Sequence, residues 1–172
     1  MTEVHDQHFS VNISRIFTGN MMYMPIVRGN KRWVAKDPIC FRVQHEVASN
    51  IRSMGLEKSA PADVYCYRSV TTFKFERREW ITDDGVLRII DLTNLYKPIE
   101  DAIFKGIVAS KKDTLFGLGV DDSKSVGNVT LKDLSETTPP YVIDVSIRWL
   151  TGKVDPKTFD MGRSLGWPVP LL

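Results

Sequence analysis

The chain has 172 residues, a formal net charge of +2, 42% apolar residues and 26% charged ones. That is the size and balance of one globular domain with its own core. It excludes a bundle of membrane-spanning helices, a low-complexity chain and a protein whose bulk charge alone would grip nucleic acid.

Cys40 and Cys66 are too few for a disulfide framework and lack metal-ligand spacing, so they read as buried thiols. The polar start, Met1 to His8, has no signal-peptide core, which places the protein in the cytoplasm with no membrane partner. Phe9, Val11 and Ile13 alternate with polar residues and predict a half-buried strand, broken at Thr18-Gly19-Asn20. Met21 to Lys36 reads as a loop, with Arg28, Lys31, Arg32 and Lys36 around Trp33. Asp37 as cap and Pro38 at the first position open a helix that runs to a stop at Gly55. Its apolar face is Ile39, Val43, Val47, Ile51 and Met54.

Period-two patterning from Asp63 to Trp80 predicts strand, with Val64, Cys66 and Val70 on one side and Tyr65, Tyr67, Phe73 and Phe75 on the other. Glu76-Arg77-Arg78-Glu79 reads as an exposed strand end. Asp83-Asp84-Gly85 marks a turn, and Val86 to Ile90 returns as a strand that ends at Asp91. A second helix follows from about Leu95 to Ala109, because Pro98 is cheap only in a first turn. Asn94, Lys97 and Asp101 then share one helical face. Ser110 to Gly119 reads as loop. Ser125 to Leu131 and Tyr141 to Trp149 read as strands, and the Pro- and Gly-containing stretch 151–172 as an irregular tail. This order predicts an α+β domain over residues 1–150, with a mixed β-sheet and two main helices packed against it.

Taken singly, the polar residues have ordinary uses. Asp91 suits a helix cap, Lys97 and Asp101 an exposed i, i+4 pair, and Asp121-Asp122 a solvated turn. Together they form D-x-x-N-x-x-K-x-x-x-D, Asp91 to Asp101, followed after a Gly-containing loop by Gly119-Val120-Asp121-Asp122-Ser123. This pattern resembles the RusA family of Holliday junction resolvases, in which a D-L-D-N-x-x-K-x-x-x-D run is followed by an apolar residue and D-D-[AS]. The chain departs from it at Thr93, where the family carries an aspartate.

The resemblance implies the same type of α+β fold, a homodimer, and a Mg²⁺-dependent endonuclease that resolves four-way junctions in branched DNA. Mn²⁺ is the expected substitute. Asp91, Asp101 and Asp122 would hold the metal, Asp121 would be an alternate or supporting ligand, Lys97 would stabilise developing charge and Asn94 would orient a ligand. Asn20, Arg28, Lys31, Arg32, Trp33 and Lys36 would contact DNA. With Thr93 in place of a carboxylate, two outcomes stand: Glu100 or Asp121 makes up the missing charge, or the protein binds branched DNA or a protein partner without cutting. An unrelated α+β protein would instead place Asp91 and Asp122 far apart.

Overall fold

The computed structural model describes residues 2–17, 23–88, 92–108, 114–134 and 141–155. The side chain of Trp33 lies outside that description, as do Asn20 and Asp91. The elements run β1 (Glu3–Ile13), β2 (Tyr23–Arg28), β3 (Lys31–Lys36), α1 (Pro38–Ser53), β4 (Val64–Lys74), α2 (Arg77–Trp80), α3 (Leu92–Phe104), β5 (Gly106–Val108), β6 (Thr114–Phe116), a 3₁₀ turn (Asp122–Lys124), β7 (Ser125–Asp133) and β8 (Tyr141–Thr151). The fold is α+β: a mixed sheet carries two main helices.

The sheet has four strands in the order β1-β8-β4-β7. β8 pairs antiparallel with β1 and β4, and β7 joins the edge parallel to β4. Tyr141, Ile143, Val145, Ile147 and Trp149 of β8 are all buried, while Asp144, Ser146 and Arg148 take the other face. α1 and α3 pack on each other and close the apolar side. The opposite face is polar: Asp6 accepts from Arg148 at 2.7 Å, Ser10 donates to Asp144 at 2.6 Å, and Lys74 reaches Asp144 at 2.6 Å.

The opening of α1 follows its caps. Asp37 accepts from the Ile39 amide at 2.7 Å, Pro38 costs no hydrogen bond at the first position, and Gly55 adopts φ +72°. The buried stripe is Cys40, Val43, Gln44, Val47, Ala48 and Ile51. Ile39 and Met54, expected on it, are exposed, because the helix turns its ends away from the core.

Five expectations are corrected. Residues 23–36 form a β-hairpin, since β2 and β3 pair from Tyr23–Lys36 to Arg28–Lys31 around Gly29 at φ +61°. Tyr65 is exposed while Val64 and Cys66 are buried, because a bulge between Val64 and Cys66 shifts the alternation. Residues 77–80 form a short helix that buries Trp80 against Phe75, with the rings 5.1 Å apart. The return strand over Val86 to Arg88 is reduced to one bridge, Ile81–Leu87, and both Val86 and Leu87 are exposed.

The fifth correction concerns α3, which begins at Leu92 and carries Pro98 inside it. Pro98 has no N–H for the Asn94 carbonyl, so tertiary packing must hold the turn. That packing is extensive: Leu95, Tyr96, Pro98, Ile99, Ala102, Ile103 and Phe104 are buried. α3 ends earlier than expected, at Phe104, with Gly106 at φ +88° starting the β5–β6 hairpin inside the expected loop. A Cβ at Gly106 would meet the Leu115 carbonyl at 2.2 Å.

Candidate functional site

The candidate site lies where the outer flank of α3 meets the turn that leads into β7. The last carbonyls of α3 need donors from outside the helix. The Leu118 amide donates to the Ile103 carbonyl at 2.7 Å, and the Gly119 amide to the Phe104 carbonyl at 2.9 Å. The 117–122 segment is thereby held to the helix end. Its other side is tied to the segment after α1, with the Lys58 amide on the Gly117 carbonyl and the Ala60 amide on the Leu118 carbonyl. The approach needs glycine, because a Cβ at Gly117 would lie 2.2 Å from the Ile103 carbonyl oxygen.

This anchoring brings Asp122 to α3. Lys97 Nζ lies 3.1 Å from Asp101 Oδ1, 3.2 Å from Glu100 Oε2 and 3.3 Å from Asp122 Oδ2. Lys105 Nζ takes the other Asp122 oxygen at 2.8 Å. Three carboxylates therefore share two ammonium groups. The Lys105 hydrogen bond, then that of Lys97, holds the Asp122 carboxyl down to about 2. Burial works against the Lys97 charge, but the bonds to Asp101 and Glu100 outweigh it and raise its pKa. Asp121 faces away from Lys97: its side chain accepts from the Ser123 amide at 2.8 Å and caps the 3₁₀ turn.

Behind the charges stands a buried polar layer. Asn128 Nδ2 donates to Glu100 Oε1 at 3.2 Å, while Asn128 Oδ1 accepts from Ser69 at 2.7 Å and Ser125 at 3.1 Å. Ser69 Oγ lies 3.2 Å from Tyr96 Oη. Glu100 is 6% exposed and is the one acid of the cluster sunk into the protein. Tyr67 is fully buried, with its ring stacked on Phe104 at 4.7 Å. Its hydroxyl has no hydrogen-bond partner among the described residues; Ser125 stands beside it outside bonding geometry. Burial, and then the Glu100 charge, raises its pKa, so the phenol keeps its proton.

Of the expected site residues, the structure joins Lys97, Asp101 and Asp122. Thr93 is exposed and Asn94 half-buried in the first turn of α3, and Asp91 lies outside the described residues. Glu100 belongs to the cluster, although the motif spacing gave its position no role. Asn128, Ser69, Ser125, Tyr96 and Tyr67 carried no functional signal in sequence, because each becomes polar support only once β4, β7 and α3 meet. His5, His8 and His45 stand elsewhere; His8 Nδ1 lies 2.9 Å from Ser146 Oγ on the polar sheet face.

The basic residues of the expected loop fall on the β2–β3 hairpin. Arg28, Lys31 and Arg32 cluster at its tip and are exposed, with exposed Val27 and Val34 between the strands' charges. Lys36, at the base, donates to Gln44 Oε1 at 2.6 Å, and Gln44 Nε2 donates to the Pro98 carbonyl at 2.8 Å. A buried glutamine thus ties the hairpin to the helix that carries the site.

The Mg²⁺ that the resemblance implies can be tested on the donor set. Glu100, Asp101 and Asp122 offer only carboxylate oxygens, the ligands a hard cation takes, and the unpartnered Tyr67 hydroxyl lies behind them. The set fits in chemistry. Among the described residues no group of three or more His, Cys, Asp or Glu is drawn into metal-holding geometry, and the cation that the acids share is the Lys97 ammonium. No protein-family model matches the chain, and no curated protein is significantly similar to it. No helix among the described residues is long and apolar enough to cross a membrane.

Proposed function

We propose that this chain is a Mg²⁺-dependent, structure-specific endonuclease that cuts four-way DNA junctions. The observation that carries the reading is the meeting of Asp122 with Lys97 across 25 positions of sequence, beside Asp101. Those residues belong to the motif, and ordinary helix-surface pairing does not require the Asp122 contact. Asp101 and Asp122 would hold the cation, together with Asp91 and with Asp121 as an alternate ligand. When bound, Mg²⁺ lowers the pKa of a water and offsets charge on the scissile phosphate.

The chain's own residues then have separate tasks. Lys97 and Lys105 present ammonium groups where a phosphate would approach, and their pKa values are raised, so both stay charged at neutral pH. Asn94 and Thr93, in the first turn of α3, flank the approach from the side of Asp91. The hairpin tip offers Arg28, Lys31 and Arg32 to the sugar–phosphate backbone, and a two-stranded ribbon of this kind fits a major groove. A homodimer would set two such sites on the paired strands of a symmetric junction.

A second reading has its own support. Thr93 brings no carboxylate, and Asp122 is already paired with two lysines. On that reading the protein binds branched DNA, or a protein partner, without cutting. Incubating the protein with a labelled synthetic four-way junction in Mg²⁺ or Mn²⁺ separates the two. The nuclease reading expects symmetric cuts by wild type and none by Asp122→Asn, with junction binding kept in both. Tight junction binding with no cutting in either metal would select the second reading. Cutting by Asp122→Asn at the wild-type rate would overturn the site.

A further inference from the structure

Glu100 is the acid whose position most needs a reason. A carboxylate buried in protein is costly unless cations and donors compensate it. Glu100 receives one amide hydrogen from Asn128 and a share of the Lys97 ammonium, which it divides with Asp101 and Asp122. Three carboxylates against two ammonium groups leave one negative charge in excess. A purely structural pair would not place its acid beneath two others.

A second observation is independent of the acids. Tyr67 pairs with Ser125 at the start of β7, directly after the turn that carries Asp122, and its ring lies on Phe104 at the end of α3. This puts its hydroxyl behind the carboxylates, fully buried and without a hydrogen-bond partner among the described residues. A buried hydroxyl left unpaired costs about 1–3 kcal/mol. A donor held at such a cost points to an oxygen that arrives with a ligand.

We propose that Glu100 is a cation ligand of this site, supplying the carboxylate that Thr93 does not, and that Tyr67 Oη donates to an oxygen ligand that enters with the cation. Asn128, itself held by Ser69 and Ser125, fixes the Glu100 carboxylate in place. The ammonium of Lys97 serves as the resident counter-charge until the divalent cation binds. The inference rests on the metal-dependent reading above and adds to it the ligand that the motif lacks.

The test is calorimetric titration of the whole chain with MnCl₂, with thermal melts alongside. Wild type should bind Mn²⁺ and melt higher in its presence. Glu100→Gln, which keeps the size and the Asn128 contact, should lose both effects. Tyr67→Phe removes only the unpaired hydroxyl and should weaken binding by about 10-fold or more, as loss of a supporting donor does. Should Glu100→Gln fail to fold, the Tyr67→Phe titration decides by itself. Wild-type affinity in either folded variant overturns the assignment. If Glu100→Gln binds normally while Asp122→Asn does not, the inference fails and the metal-dependent reading stands. If wild type takes up no Mn²⁺, both fall together.

Discussion

Asp122 meets two ammonium groups, and the hydrogen bond from Lys105 at 2.8 Å outranks that from Lys97 at 3.3 Å. Its carboxyl is held down from 3.8 to about 2, so as pH falls the unfolded chain takes up the proton first. The contribution is therefore complete above the ordinary value of 3.8 and is lost as pH falls through about 2. Replacing Asp122 with Asn should flatten stability against pH in that window and leave the slope near neutrality alone. Urea denaturation at a series of pH values checks this; parallel curves for the two proteins would refute it. Thr93 offers the complementary change. It sits exposed in the first turn of α3, where an added carboxylate also meets the positive end of the helix. Thr93→Asp should tighten Mn²⁺ binding and add about 0.3–1 kcal/mol of stability. If wild type binds junctions without cutting and Thr93→Asp cuts, the second reading of the natural protein is the right one.

Among the elements, the connection after β6 decides where Asp122 goes. Its Leu118 and Gly119 amides serve as the donors that the end of α3 lacks, and Gly117 permits the close approach by having no side chain. Gly117→Ala should cost about 1–3 kcal/mol, since a methyl group must push two backbone segments apart. It should also loosen the Asp122–Lys97 pair, which nuclear magnetic resonance titration of Asp122 would register as a carboxyl pKa closer to 3.8. An unchanged melting temperature would show that the approach is less tight than the 2.2 Å clash implies. α3 shows the same dependence on context. A proline at its seventh position argues for a later start, yet burial of Leu95, Ile99 and Ile103 outweighs the missing hydrogen bond.

At the scale of the molecule, a net charge of +2 conceals an uneven distribution. The β2–β3 hairpin contains Arg28, Lys31, Arg32 and Lys36 and no acid, whereas the polar sheet face pairs its charges internally through Asp6–Arg148 and Lys74–Asp144. DNA affinity should therefore depend on the hairpin and on doubling it. A homodimer that prefers four-way junctions to linear duplex is expected, with binding that weakens steeply in salt. Changing Arg28, Lys31 and Arg32 to Ala together should reduce the slope of log affinity against log salt by about 0.9 for each phosphate that the variant no longer neutralises. Mn²⁺ binding should not change. Light scattering that shows a monomer, with equal affinity for junction and duplex, would count against the assembly.

The sequence by itself determined the α1 boundaries, the long alternating strand β8, the α+β class and the grouping of Lys97 with Asp101. These rest on local rules: a cap, a period of two, a spacing of four along one helix. Tertiary structure decided the rest. The basic loop became a paired hairpin because a β-ladder depends on a partner strand. α3 began before its proline because packing energy exceeds helix propensity. Glu100 was turned inward by its helical register and met Asn128 from β7, a strand separated from α3 by a hairpin and a turn. Tyr67, a core aromatic by its pattern, came to lie beneath the carboxylates only when β4, β7 and α3 closed around it. Such convergence leaves no periodic trace along a chain, because the residues that meet are fixed by topology rather than by spacing.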